Sequence, residues 1–179
     1  TPTTPGTGIT TPGVEGTLTV TSNNAGLVST AYEGDSMISI LGFNVEAKTS
    51  DIAVQRIKLQ LGSDTTLVWR KGYSRLYITV DGNTLASVDL NSSTVVKEGS
   101  DYYVTVTGFN LVVPKGAKKQ VVVKADVMSS IDSTDRTNLG SEAVSLVING
   151  ARGVDGAGID QYSPATAISR TVSFSAELS

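Results

Sequence analysis

The chain has 179 residues, a formal net charge of −3, and neither cysteine nor histidine. These absences exclude disulfide bonds, thiolate metal sites and Ser-His-Asp or Cys-His catalysis, and they remove the commonest general base. The slightly acidic charge argues against nucleic-acid binding, and no apolar run approaches the ~20 residues that a membrane-spanning helix needs.

Residues 1–14 form a Thr/Pro-rich segment, which we expect to be extended and to precede a single domain at 15–179. Such a segment has little apolar surface to offset an ordering entropy of ~1–2 kcal/mol per residue. Two placements stay open: along its own domain, or on a neighbouring subunit by strand addition to a sheet edge. The residues predicted to serve this assembly are Thr7, Ile9, Thr11, Glu15, Thr17, Leu18 and Val20.

Alternating apolar and polar side chains predict β-strands along the first half of the domain. A first strand covers 15–20, and two longer strands cover 37–47 and 52–61. In each of the two longer strands the apolar alternation shifts by one residue, which predicts a β-bulge. The run 75–90 predicts a hairpin, because Asp81-Gly82 supplies the positive backbone φ that a tight turn needs.

The stretch 102–127 predicts two further strands, separated by Pro114-Lys115-Gly116, and organises the fold. Beyond it we expect a polar loop at 129–142, a strand at 143–148, a Gly-rich irregular loop at 149–167 and a final strand up to Leu178. Because the chain begins at Thr1, we expect a processed chain or an excised domain. The predicted core residues are Phe43, Ile78, Val104, Phe109, Val123 and Phe174.

The strand pattern predicts an all-β sandwich with no helix longer than a few turns. The runs RLYITVDGN (75–83), VPKG (113–116) and VVVKADV (121–127) resemble Ig-like β-sandwich domains of exported bacterial cell-surface or filament-forming proteins. The resemblance covers about residues 33–127 and implies an Ig-like or Greek-key antiparallel β-sandwich, decorated with additional strands because the chain is longer than a minimal Ig domain of ~100 residues. It also implies an extracellular or cell-surface structural or adhesive module, and it transfers no functional residues.

Oxygen-bearing side chains in the two polar loops make calcium the one cofactor that the sequence suggests. The same residue types also occupy ordinary turns, where they bind their own backbone, and both interpretations stay open. The Gly-rich loop lacks the following helix that a phosphate site needs, and the 17 acidic residues single out no catalytic pair. The candidate calcium ligands are Asp132, Asp135, Asn138, Glu142, Asp155 and Asp160.

These observations predict a non-enzymatic extracellular subunit that assembles into a surface filament, appendage or layer, by docking its N-terminal strand or tail on a neighbouring subunit. The partner would then be further copies of the same chain, in an oligomer or polymer. The alternative is an adhesive β-sandwich module that binds a carbohydrate or another partner and is stabilised by calcium. A regular assembly seen by electron microscopy would favour the first, and glycan binding by isolated monomers the second.

Overall fold

The computed structural model describes residues 9–64 and 66–176. In these ranges the helices are α1 (Val68–Lys71) and α2 (Ser133–Gly140). The strands are β1 (Thr17–Ser22), β2 (Thr30–Tyr32), β3 (Ile38–Lys48), β4 (Ile52–Ser63), β5 (Tyr73–Val80), β6 (Asn83–Asp89), β7 (Val95–Glu98), β8 (Asp101–Val106), β9 (Leu111–Val113), β10 (Lys118–Val127), β11 (Ala143–Val154), β12 (Asp160–Ser163), β13 (Ile168–Thr171) and β14 (Ser173–Ser175).

The strands form two main antiparallel sheets. The five-stranded sheet has the order β1-β3-β10-β5-β6. The seven-stranded sheet runs β12-β11-β4-β8-β7, with β13 also beside β11 and β9 also beside β4. A separate parallel pair joins β14 to β2. The inward side chains of both sheets belong to one hydrophobic cluster, which confirms the predicted all-β sandwich.

The core lies where the period-two pattern predicts it. On β10, the middle strand of its sheet, Val121, Val123 and Ala125 are buried, and the residues between them are half-buried. Five of the six predicted core residues, Phe43, Ile78, Val104, Phe109 and Val123, are buried. The sixth, Phe174, is only half-buried, because the expected final strand divides into β13 and β14 and leaves this ring at the rim, packed against Tyr73.

Both predicted β-bulges are present. Opposite β10, Ile40 is an extra residue in β3, since Val123 pairs with Leu41 and Lys124 with Ser39. In β4 the extra residue is Gln55, which lies between two neighbouring cross-strand pairs. Each extra residue reverses which alternate side chains face the core, and this is the slip in phase that the sequence shows.

Two further segments differ from the sequence expectation. The polar stretch 129–142 contains α2, which the apolar pattern missed because only Leu139 of this helix is buried. The expected irregular loop at 149–167 is largely strand, since β11 continues to Val154 and β12 pairs with it. Two of the glycines that suggested a loop, Gly150 and Gly153, instead allow close packing: a Cβ on Gly153 would lie 2.3 Å from Ile52 Cγ2.

Candidate binding face

The outer face of the seven-stranded sheet carries mixed polar, aromatic and apolar side chains. Along β4 the side chains of Ile57, Leu59 and Leu61 point inward and are buried, whereas Lys58 and Gln60 alternate with them and are half-buried. The register places Gln60 opposite Tyr103 of β8, and Tyr103 opposite Val96 of β7, whose side chain is 56% exposed. Sheet pairing therefore aligns residues from three strands on one surface.

A large bulge in β11 forms a wall beside this surface. Leu146 pairs with Leu59 and Ala151 with Ile57, so the four residues 147–150 lie opposite Lys58 alone. The bulge holds Ile148 at 58% exposure. It needs Asn149 at a φ of 58°, a left-handed conformation that asparagine tolerates better than most residues.

Gly150 completes the bulge because it has no side chain. A Cβ at this position would lie 2.8 Å from the backbone oxygens of Lys58 and Val147, which cannot move without disturbing the strands. The Asn149 N–H also donates to the Pro164 oxygen at 2.9 Å, so the bulge is fastened to the segment that follows β12. The backbone conformation of the bulge is therefore held by Asn149, by Gly150 and by the hydrogen bond to Pro164.

Between the bulge and β7 lies an open depression of about 340 Å³, which we call the bulge depression. One side of it is apolar, from the bulge and the segment before β13, and the other side is polar or aromatic. The lining residues are Lys58, Gln60, Glu98, Tyr103, Val147, Ile148 and Ala167.

The polar side of the depression is connected internally. Lys58 Nζ lies 3.5 Å from Glu98 Oε2 and 4.7 Å from the centroid of the Tyr103 ring. Burial, with smaller contributions from the Asp101 and Glu98 charges, raises the pKa of Tyr103 above its usual range. The hydroxyl therefore stays protonated at neutral pH, and the depression offers hydrogen-bond donors and acceptors.

A second cluster of polar contacts holds the segment that precedes β1. The Asp51 carboxylate accepts from Thr10 N at 2.6 Å, from Thr10 Oγ1 at 2.7 Å and from Lys115 N at 2.7 Å. The Thr10 backbone bond is the main reason that the pKa of Asp51 is lowered. The Asp51 N–H in turn donates to Thr11 Oγ1 at 2.9 Å, so two consecutive threonines are fixed to the turn between β3 and β4.

Asp155, which is completely buried, holds the same segment at Gly16, six residues after Thr10. Its Oδ2 accepts from Gly16 N at 2.9 Å and from Gln161 Nε2 at 3.0 Å. Its Oδ1 accepts from Ala157 N at 2.9 Å and from Ile159 N at 3.0 Å. Four donors therefore surround this carboxylate, and binding a cation here would require breaking them.

The predicted assembly residues lie along their own domain wherever the structure describes them. Ile9 and Thr11 are half-buried and Glu15 is exposed. Thr17 pairs with Lys48 of β3, and Leu18 and Val20 are buried in the core of the same chain. Thr7 lies outside the described residues. Two placements of the N-terminal segment were open. Residues 10–22 lie along their own domain, and pairing with the sheet edge of a neighbouring subunit stays a prediction.

The remaining candidate calcium ligands lie on and around α2 and on β12. Asp132 and Asn138 are exposed, Glu142 is half-buried, and Asp135 Oδ1 lies 3.3 Å from Lys71 Nζ. Asp160 is exposed on β12. Within 9–64 and 66–176, no three acidic side chains come close enough together to hold a metal ion. Calcium binding through one of these loops stays a prediction.

Sequence reasoning missed the bulge depression. Period-two analysis predicts alternate faces, but it does not show which exposed residues from distant strands become neighbours. The one local signal was the Asn149-Gly150 dipeptide after the apolar Ile148, since such a pair favours positive φ.

Comparisons with known proteins add little to this picture. Neither a protein-family model nor a curated protein matches the chain. A cohesin module from Clostridium perfringens ATCC13124 family 33 glycoside hydrolase is 14% identical with a TM-score of 0.37, over 92% of this chain and 99% of that one. AvmM, which catalyzes macrocyclization in alchivemycin A biosynthesis, is 7% identical with a TM-score of 0.44, over 90% and 89%. BslA, a bacterial hydrophobin, is 14% identical with a TM-score of 0.28, over 90% and 95%.

Likenesses at these levels carry no argument about function. The fold assignment accordingly rests on the strand pairing and the shared core of the chain itself. Among the described residues, neither helix is long and apolar enough to cross a membrane.

Proposed function

We propose that this protein is a non-enzymatic extracellular β-sandwich module that binds a glycan in the bulge depression. The observation that carries the proposal is the pairing of the apolar wall at Val147 and Ile148 with a polar and aromatic side at Gln60, Lys58 and Tyr103. A sugar ring presents both apolar C–H surfaces and hydroxyl groups, and this combination suits both sides of the depression.

The open shape favours a polymer over a small molecule. Sites for small ligands bury most of the ligand in a concave pocket. The bulge depression is instead a shallow surface feature bounded by β7 on one side and β11 on the other. A chain of sugar units can lie across such a surface and extend past both of its ends.

The charged groups of the depression favour binding over catalysis. Among the described residues that line it, Glu98 is the only one with a carboxylate; this side chain is 55% exposed and is paired with Lys58. A glycosidase needs a pair of carboxyl groups, one of which is held protonated by an apolar environment. An exposed carboxylate beside a lysine meets neither requirement.

A glycan array probed with the isolated monomer tests the proposal. We expect binding to a defined glycan class, and Tyr103→Ala should weaken it about tenfold or more by removing an aromatic contact. Tyr77→Ala is a matched control, because Tyr77 is also half-buried but lies on the outer face of the other sheet. Absence of glycan binding, or equal losses in the two variants, would contradict the proposal.

Assembly into a filament, appendage or layer is the second candidate. Its supporting observation is β7, which ends the seven-stranded sheet, pairs only with β8 within the described part of the chain, and exposes Val96. An open edge with an exposed apolar side chain can accept a strand from another copy.

Electron microscopy and light scattering test this candidate with three proteins. The full chain should form a regular assembly at high concentration. Val96→Lys and a chain lacking residues 1–14 should each stay monomeric, because one changes the accepting edge and the other removes the donated segment. A monomeric full chain would rule the candidate out, and assembly by the truncated chain would show that the N-terminal segment is not the donor.

A further inference from the structure

Two arginines face each other on the outer face of the seven-stranded sheet, next to the bulge depression. The register pairs Arg56 of β4 directly with Arg152 of β11, and Arg152 on its other side with Tyr162 of β12. Residues directly opposite in an antiparallel pair have Cβ atoms about 5 Å apart. Both arginines are half-buried, so their stems are fixed against the sheet.

Neither guanidinium has an acceptor in the described part of the chain. The other half-buried arginines differ: Arg75 pairs with Asp89, Arg136 with Glu33, and Arg170 donates to the oxygens of Ile40 and Val28. Apart from the backbone pairing of their strands, no side-chain hydrogen bond or ion pair joins Arg56 or Arg152 to any described residue. The Nε of Arg152 is moreover buried without a partner.

Two like charges directly opposite each other oppose folding, and a buried donor without a partner does so further. The whole chain carries a net charge of −3, so this positive pair is not the result of an overall excess of basic residues. Lys58 extends the positive row by two residues along β4, which corresponds to about 7 Å. Lys58 is already paired with Glu98, but an anionic ligand on this face would offset the repulsion between the two guanidinium groups and supply acceptors for guanidinium nitrogens other than the buried Arg152 Nε.

We propose that the pair Arg56–Arg152 is an anion subsite and that the ligand is an acidic polysaccharide carrying carboxylate or sulfate groups. The inference rests on the proposed glycan-binding function and names the ligand class. A guanidinium presents a planar fork of donors that matches a carboxylate or sulfate in bidentate geometry. The sugar backbone would occupy the bulge depression, and its acidic substituents would reach the arginine pair and Lys58.

Titration calorimetry with three polymers tests the inference: polygalacturonate for carboxylate, chondroitin sulfate for both anions, and neutral dextran. We expect the wild-type protein to bind at least one acidic polymer about tenfold or more tightly than dextran. Added salt should weaken this binding. A preference for polygalacturonate over chondroitin sulfate identifies carboxylate as the recognised group, and the reverse preference identifies sulfate.

Three variants assign the effect to the arginine pair. The double variant Arg56→Gln/Arg152→Gln should lose the preference for acidic polymers, and Arg56→Lys/Arg152→Lys should keep only part of it, because lysine cannot bind in bidentate geometry. The control Lys48→Gln/Lys118→Gln removes the same charge from exposed positions on the five-stranded sheet and should bind as the wild type does.

Different failures have different meanings. If dextran or another neutral glycan binds through Tyr103 with no preference for acidic polymers, the anion subsite is wrong and the proposed function stands. If the control lowers affinity as much as the arginine double variant, or if polyphosphate binds equally well, attraction is only general electrostatics and the subsite is wrong. If no glycan binds, both fail.

Discussion

At the scale of single residues, Asp51 links protonation to stability. Hydrogen bonds from Thr10 and Lys115 lower the pKa of Asp51 in the folded state relative to about 3.9 in an unfolded chain. A carboxyl group with a lowered folded pKa stabilises the protein above its unfolded pKa, and this contribution is lost as the pH falls through the folded pKa. The stabilisation should therefore be complete at neutral pH and vanish in strong acid.

We expect Asp51→Asn to be less stable than the wild type at about pH 7, and the difference between them to become smaller at about pH 2. Urea unfolding of both proteins at the two pH values measures the difference. Asp160→Asn is the control, because Asp160 is exposed on β12. A destabilisation by Asp51→Asn that is the same at both pH values would show that its charge is not what matters.

The phenylalanines give a matched test of burial. Phe109 is 9% exposed inside the core, whereas Phe174 is half-buried at the rim. Phe109→Ala should lower the free energy of unfolding by about 3–5 kcal/mol, and Phe174→Ala by about 1–2 kcal/mol. Denaturant titration measures both values. A larger loss for Phe174→Ala would reverse the assignment of core and rim.

At the scale of the secondary-structure elements, the β11 bulge decides whether the depression exists. Gly150→Ala would place a Cβ 2.8 Å from two backbone oxygens. We expect it to destabilise the protein by about 1–3 kcal/mol and, by displacing Ile148, to weaken glycan binding. Asn149→Gly is the matched change, because glycine adopts the same positive φ without strain. Unfolding and binding measurements should show a larger loss of stability and of glycan affinity for Gly150→Ala than for Asn149→Gly. Equal losses in the two variants would mean that the bulge backbone can adapt to the added Cβ.

The sequence predicted most strands and both one-residue bulges, because each depends on local alternation of side chains. It missed α2, in which a single buried residue, Leu139, leaves no periodic pattern. It also misread 149–167, where Gly150 and Gly153 allow close packing between strands. The bulge depression and the arginine pair depend on register between β4 and β11, and register is a long-range property that alternation does not encode.

At the scale of the whole molecule, calcium binding can be tested through its effect on thermal stability. A ligand that binds only the folded state raises its melting temperature by mass action. We expect millimolar calcium to raise the melting temperature relative to excess chelator if the acidic side chains around α2 supply a site. Asp135→Asn should abolish that shift while Asp155→Asn, which changes a carboxylate already surrounded by four donors, should not. An unchanged melting temperature would rule out calcium.

The two carboxylates that fasten the N-terminal segment also determine how the molecule would carry mechanical load. Tension applied ahead of Thr10 reaches the Asp51 and Asp155 bonds before it reaches β1, an edge strand that could otherwise be peeled away residue by residue. Asp51 precedes β4, Lys115 lies between β9 and β10, and Asp155 follows β11. We therefore expect force entering at this end to be shared by both sheets, and protonation of Asp51 to lower the force at which the molecule begins to unfold.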